Sequence, residues 1–206
     1  MKLFWSSRSP FVRKVMVVSH ETGLADRIER VRTVVAPTKP NAEVMALNPL
    51  NKLPTLVLDD GSAIYDSRVI AEYLDSLHDG PRLFPAAGRP RFDALRLQAL
   101  GDGILDFLLV GLSERSRPEA QQSPELKEAL AIKFKAAFDR LEKEAMAGAF
   151  DTSFGIGQIT VACVLGYADF RYGDQNWRNG RARLAAFAEA AFKRASLQET
   201  QHADQY

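Results

Sequence analysis

The stretch Lys2-Leu3-Phe4-Trp5-Ser6-Ser7-Arg8-Ser9-Pro10-Phe11-Val12-Arg13-Lys14-Val15 decides how this chain folds. Its first residues, 2–5, form a short apolar run typical of a buried strand. Ser9 is a preferred helix N-cap, and Pro10 suits the first helical position because a proline there loses only an N–H that has no partner within the helix. The stretch therefore predicts a strand that turns directly into a helix, where free N–H groups and serine hydroxyls can bind an anion.

The residues that follow complete a small α/β unit. Hydrophobic spacing predicts helices over residues 10–22, 42–47 and 68–77. Turn formers and β-branched residues predict a strand over residues 28–35 and a two-stranded hairpin over residues 55–58 and 62–64. Strand signals then disappear. We expect a linker over residues 79–89, between an α/β domain at 1–78 and an all-helical domain at 90–206.

Apolar periodicity and capping residues predict four helices in the second domain, over residues 91–113, 124–147, 157–170 and 181–194. The third of these is apolar on nearly all sides, which indicates a central, buried helix. Gly155 and Gln158 suit its N-cap and the reciprocal capping position. The polar tail, residues 198–206, is expected to be loose.

Composition excludes several classes of protein. A formal net charge of +1 argues against nucleic acid as the main partner. No apolar run approaches the roughly 20 residues that cross a bilayer, and no secretory signal is evident, so we expect no membrane partner. Cys163 is the only cysteine, which excludes an internal disulfide and fits a reducing compartment. We therefore expect the protein in the cytoplasm.

Four stretches, residues 9–15, 48–54, 65–74 and 162–171, resemble motifs of the glutathione S-transferase family, in the family's order and spacing. The resemblance implies an α/β plus all-α fold, in which a thioredoxin-like N-terminal domain precedes an all-helical C-terminal domain. It also implies glutathione as co-substrate, no metal, and a homodimer. The activity that it implies is conjugation of glutathione to a small electrophile.

The resemblance also implies which residues hold the tripeptide. Ser67 would cap the third helix and bind the γ-glutamyl carboxylate, and Asp66 would accept from the ammonium group. Alternatively, Ser67 only caps the helix and Asp66 is a solvated turn residue.

Further contacts to the tripeptide are implied by the loop at residues 48–54. A cis Pro54 would follow Leu53, whose main chain would bind the cysteinyl part, and Phe11 would lie beside the peptide. Lys52 is a candidate counter-ion for the glycine carboxylate or, nearly as well, a solvated loop lysine. Asn51 stands where the family often has glycine, and asparagine tolerates the left-handed conformation.

Ser9 is the candidate that stabilises the glutathione thiolate. Lowering a thiol pKa from about 8.5 to about 6.5 requires roughly 2.7 kcal/mol. A helix terminus supplies roughly 0.3 to 1 kcal/mol, and a hydrogen bond to a charged group about 1.5 to 3 kcal/mol, so a hydroxyl at the helix start supplies both. Ser6 and Ser7 lie in the same loop and remain alternatives.

The opening loop has no cysteine, which favours conjugation or glutathione-dependent peroxide reduction over thiol transfer. The electrophile is expected against the first long helix, where the candidates are Asp102, Asp106, Phe107 and Val110. The two aspartates, one helical turn apart, could instead cap backbone or pair with arginines such as Arg13 or Arg115. The alternative function is a glutathione-binding regulatory or ligand-carrier protein of the same fold with little turnover.

Overall fold

The computed structural model describes residues 1–36 and 38–204. Contacts divide this part of the chain into two compact units. The first contains residues 1–91 together with 195–204, and the second contains Phe92–Arg194. This division differs from the one expected from the sequence, in which residues 90–206 formed the helical domain.

A four-stranded mixed sheet forms the first unit. Its strands are β1 (Lys2–Trp5), β2 (Glu29–Arg32), β3 (Thr55–Val57) and β4 (Ala63–Ile64), in the order β2-β1-β3-β4. β1 pairs parallel with β2 and antiparallel with β3, which pairs antiparallel with β4. β2 is shorter than the predicted 28–35 because β1 ends at Trp5, whose carbonyl accepts from the Thr33 amide at 2.8 Å. Beyond that bond β1 has no residue left to pair.

Three helices alternate with these strands: α1 (Pro10–Glu21) after β1, α2 (Ala42–Met45) after β2 and α3 (Ser67–Ser76) after β4. Ser9 caps α1, since its side-chain oxygen accepts from the Val12 amide at 3.3 Å. α1 packs against α3, and their apolar faces bury Val15, Ile70 and Leu74 completely. The predicted transition from strand to helix at Ser9 is therefore confirmed.

The second unit is helical. It contains most of α4 (Gly88–Arg115), together with α5 (Pro124–Met146), α6 (Ile156–Arg171) and α7 (Ala182–Ala191). α6 is central, and its residues 156–165 are all buried. A Cβ on Gly101 would lie 2.6 Å from Cγ2 of Thr160, so glycine lets α4 and α6 approach closely. At the start of α6 the Gly155 amide donates to Gln158 Oε1 at 3.2 Å, which confirms the predicted reciprocal cap.

The two ends of the helical region differ from the sequence prediction. α4 begins at Gly88, three residues early, because Pro90 lies in the first turn, where its missing N–H costs nothing. The last predicted helix, 181–194, ends at Ala191, and a separate short helix, α8 (Ala195–Gln198), packs against α1. The tail is docked rather than loose over residues 198–204, while Gln205 and Tyr206 lie outside the described residues.

The fold class predicted from the sequence is thus confirmed: an α/β unit with a mixed sheet precedes a helical unit. Among the helices of the described residues, none combines the length and the apolar character needed to span a bilayer.

A buried carboxylate network stabilises the helical unit. Glu144 accepts two hydrogen bonds from Arg96, at 2.8 and 2.9 Å, and one from Arg140 Nε at 2.7 Å. Its side chain is 9% exposed. The hydrogen bonds from Arg96, followed by those from Arg140, hold the pKa of Glu144 below its ordinary value.

Glu144→Gln is expected to lower the free energy of unfolding by about 2 kcal/mol at pH 7, because it removes charge-assisted hydrogen bonds. Since the folded-state pKa is depressed, this stabilisation is complete above the ordinary glutamate pKa, about 4.3, and is lost as the pH falls below it. We expect urea unfolding to show that the free energies of unfolding of wild type and variant become more similar as the pH is lowered from 7 to 3. Glu128→Gln, exposed on the same helix, is the control for charge alone, and an equal effect there would contradict the network.

Candidate functional site

Three chain connections meet at one edge of the sheet. β1 and β3 are antiparallel, with Phe4 opposite Thr55, so the residues after β1 lie beside the residues before β3. β3 and β4 are also antiparallel, with Leu56 opposite Ile64, so the residues after β4 reach the same edge. The topology thereby gathers three of the predicted binding segments, residues 6–9, 52–54 and 65–67.

The three serines of the first segment differ in their hydrogen bonds. Ser7 Oγ donates to the Ala203 carbonyl at 2.9 Å. Ser6 is buried, and its oxygen accepts from the Arg8 amide at 3.4 Å. Ser9 accepts from the Val12 amide as N-cap, and its hydroxyl hydrogen has no acceptor within residues 1–36 and 38–204. Ser9 therefore combines a helix terminus with a hydroxyl that is available to donate.

The second segment is fixed by two buried polar side chains. Asn48 Nδ2 donates to Thr55 Oγ1 at 2.9 Å and to the Lys52 carbonyl at 3.3 Å. Thr55 Oγ1 donates to the same carbonyl at 2.9 Å. The Leu53–Pro54 bond is cis, as the resemblance implied. Sequence reasoning assigned no role to Asn48 or Thr55, although a buried polar pair that brackets a proline loop is the signal that could have identified them.

The remaining predicted residues of this loop differ in exposure. Asn51 has φ of 52°, the predicted left-handed conformation, and its Oδ1 accepts from the Asn41 amide at 3.0 Å. Lys52 is exposed, and its ammonium group has no partner in the described part of the chain. Phe11 is half-buried, with Lys14 Nζ 5.7 Å from its ring centroid.

The third segment corrects one expectation. Asp66, not Ser67, caps α3: its Oδ1 accepts from the Arg68 amide at 2.9 Å, and the helix begins at Ser67. A carboxylate caps as well as a hydroxyl and also favours the positive end of the helix dipole, so the helix starts one residue earlier than expected. Ser67 is 2% exposed. Its hydroxyl has no partner among the residues that the structure describes, so it is available to a ligand. The Tyr65–Asp66 bond is cis.

The four candidates on α4 do not form one cluster. Asp102 is buried, whereas Asp106 and Val110 are exposed. The two aspartates lie one turn apart on the same side of the helix, so their different exposure reflects what packs against each of them. The sequence suggests Arg115 as a partner of the two aspartates. It donates instead to the Arg171 carbonyl at 2.8 Å and stacks on the ring of Tyr172.

Phe107 lines a cavity of about 180 Å³ within the helical unit. Its lining combines apolar and charged or polar side chains: Phe107, Leu108, Leu130, Phe134 and Tyr172 on one hand, and Glu114, Arg115, Lys127, Asp174 and Gln175 on the other. Burial raises the pKa of Tyr172, whose protonated hydroxyl donates to the Leu108 carbonyl and so presents its ring to the cavity. By volume this open pocket can hold a small aromatic molecule, since an enclosed apolar cavity of about 150 Å³ binds benzene in another protein.

Cys163 is fully buried in α6, which confirms the prediction of a small core residue. In the described ranges, no group of three or more histidine, cysteine, aspartate or glutamate side chains could hold a metal ion.

Two family models match the chain: "Glutathione S-transferase, N-terminal domain" over residues 8–77 and "Glutathione S-transferase, C-terminal domain" over residues 124–190. A curated relative, the "Uncharacterized GST-like protein YibF" of Escherichia coli (strain K12), is 33% identical over 202 residues, which cover 98% of each chain.

Two solved structures are also similar over nearly their whole length. A glutathione transferase family member from Pseudomonas fluorescens Pf-5 with bound glutathione is 39% identical, with a TM-score of 0.95 over 98% of each chain. A glutathione S-transferase from Methylobacillus flagellatus KT with glutathione bound is 33% identical, with a TM-score of 0.85 over 98% of this chain and 99% of that one.

Proposed function

Because this chain belongs to the glutathione S-transferase family, we propose that it binds glutathione at the sheet edge formed by residues 6–9, 52–54 and 65–67. The bound tripeptide is the co-substrate, and its thiolate attacks a small hydrophobic electrophile. The observation that carries this proposal is the convergence at one edge of two hydroxyls, those of Ser9 and Ser67, whose hydrogens have no acceptor in the described part of the chain.

The γ-glutamyl end binds at the start of α3. The Ser67 hydroxyl and the first-turn amides donate to its carboxylate, with support from the helix dipole. The exposed carboxylate of Asp66 accepts from the ammonium group while it caps the helix. One residue thus serves the fold and the ligand.

The main chain of Leu53 binds the cysteinyl part, in a loop that Asn48 and Thr55 hold in place. The Lys52 ammonium neutralises the glycine carboxylate, and Phe11 packs beside the peptide. The thiolate then lies at the start of α1, where Ser9 donates to it. No cysteine is available there for a mixed disulfide, so the reaction is conjugation: the sulfur bonds to the electrophile, which either takes up a proton or loses a leaving group such as chloride. Glutathione-dependent peroxide reduction is a side activity of the same thiolate, which takes one peroxide oxygen to form a sulfenic acid and releases the alcohol; a second glutathione then gives the disulfide and water.

We place the electrophile in the helical unit, in the pocket lined by Phe107, whose aromatic and leucine side chains can contact a hydrophobic molecule. Since Asp102 is buried and Asp106 and Val110 lie outside this lining, we assign them no contact to the electrophile. The family also supports a homodimer that acts in the cytoplasm, and we propose both.

Ser67→Ala is expected to weaken glutathione binding about tenfold, because it removes one hydrogen bond to a carboxylate. Titration calorimetry of wild type and variant with glutathione measures this change. Ser76→Ala is the matched control: Ser76 lies at the other end of the same helix, and its hydroxyl donates to the Tyr73 carbonyl. If Ser67→Ala and wild type bound glutathione with equal affinity, the γ-glutamyl carboxylate would bind at another place.

The same wild-type protein, assayed with chlorodinitrobenzene and a panel of other electrophiles, tests turnover. Measurable conjugation supports a transferase. Glutathione binding without conjugation of any of them would support instead a regulatory or carrier protein of the same fold.

A further inference from the structure

Residues 202–204 lie across the loop that carries the three serines. His202 Nδ1 is 2.9 Å from the Ser7 carbonyl oxygen, and Ser7 Oγ donates to the Ala203 carbonyl at 2.9 Å. Since a carbonyl only accepts, the His202 ring carries its hydrogen on Nδ1. We call residues 202–204 the tail segment. The hydroxyl and the carbonyl of Ser7 are both hydrogen-bonded to it.

Arg8 forms a second connection to the tail segment. Its Nη2 donates to the Asp204 carbonyl at 2.6 Å, and its Nε lies 3.4 Å from Asp204 Oδ1. Both side chains are about half exposed, 51% and 54%, so the ion pair itself contributes little. The bond to the main chain is the part that fixes the position of the loop.

The base of the tail is attached to α1, the helix that Ser9 caps. The buried Arg13 donates through Nη2 to the Leu197 carbonyl at 3.1 Å, and Ser196 Oγ donates to Glu21. α8 packs along α1. The tail thus connects the body of α1 to the loop at its start.

We propose that the tail segment positions the catalytic hydroxyl, with His202 as the positioning residue. By holding Ser7 from both sides it occupies the Ser7 hydroxyl and fixes the loop, so that Ser9 is the serine whose hydroxyl meets the thiolate. This inference rests on the proposed function. Hydrogen-bond strength falls steeply with misalignment, so a displacement of less than 1 Å in the loop lowers the thiolate fraction of bound glutathione.

His202→Ala is expected to lower kcat for conjugation about fivefold and to leave the KM for glutathione within twofold, because the tripeptide's other contacts are untouched. The absorbance of the thiolate in the glutathione complex should fall with kcat. His202→Asn should restore most of both, because the asparagine amide nitrogen can occupy the place of Nδ1 and donate to the Ser7 carbonyl. Gln198→Ala, at an exposed position of α8 outside the contacts described above, is the control and should leave both quantities unchanged.

Two outcomes overturn the inference. One is a kcat and thiolate absorbance in His202→Ala equal to wild type. The other is an equal loss in His202→Asn and His202→Ala, which would assign a packing role to the ring. If wild type bound glutathione without conjugating it, the proposed reaction would fail, and the thiolate absorbance alone would test the positioning role. If it bound none, both proposals would fail.

Discussion

Ser9→Ala is expected to lower kcat for conjugation about 10- to 150-fold at saturating glutathione. The variant loses one hydrogen bond to a charged sulfur, about 1.5 to 3 kcal/mol, and each 1.36 kcal/mol corresponds to a factor of ten in rate. Glutathione affinity should change little, because the carboxylates bind at other residues. Steady-state kinetics with chlorodinitrobenzene, together with calorimetry, measures both quantities.

The chain itself offers a matched control for the structural part of this effect. Ser123 caps α5 as Ser9 caps α1: a proline follows at the first helical position, and the Ser123 oxygen accepts from the Leu126 amide at 3.1 Å. Ser123→Ala should cost the same cap, about 1 kcal/mol of stability, and leave kcat unchanged. A Ser9→Ala rate within twofold of wild type would assign the donor role to Ser6 or to another group.

Phe138→Ala is expected to lower the stability of the helical unit by about 3 to 5 kcal/mol, the usual range for a buried phenylalanine. Phe138 is completely buried in α5. Its ring stacks on Phe134 at 4.2 Å between centroids and lies 6.1 Å from the ring of Trp177. The substitution therefore removes the central ring of three.

Urea unfolding in a Trp5→Phe background measures this loss, because Trp177 is then the only tryptophan and reports on the helical unit. Phe92→Ala on α4, whose side chain is 68% exposed, should change the stability by less than about 0.5 kcal/mol. If the two variants lost equal stability, the aromatic cluster would not be the centre of this unit.

Local signals were sufficient for much of the fold. Ser9-Pro10 and Ser123-Pro124 mark helix starts because capping and the fixed proline φ act within one turn. Gly61 marks the hairpin because its φ of +84° strains other residues. The left-handed conformation of Asn51 was predictable in the same way, because asparagine tolerates a positive φ. Each of these features depends on residues that are neighbours in sequence.

Features set by distant residues were not predictable in this way. The docking of residues 202–204 depends on a loop about 195 residues earlier, and no periodicity encodes it. Asp66 rather than Ser67 caps α3. Both residue types are good N-caps, and sequence alone does not rank two adjacent candidates. Asp102 and Asp106 share a spacing but not an environment, since burial depends on what packs against each.

The burial of Cys163 has a practical consequence for studying the tail segment. With the only cysteine of the chain enclosed in α6, maleimide reagents have no exposed native thiol to modify, since reactivity requires an accessible thiolate. A cysteine introduced at Gln201, which is exposed, can carry a spin label or fluorophore without first removing Cys163. A single introduced cysteine in the otherwise wild-type chain can therefore be labelled selectively, and the label records motion of the tail in solution.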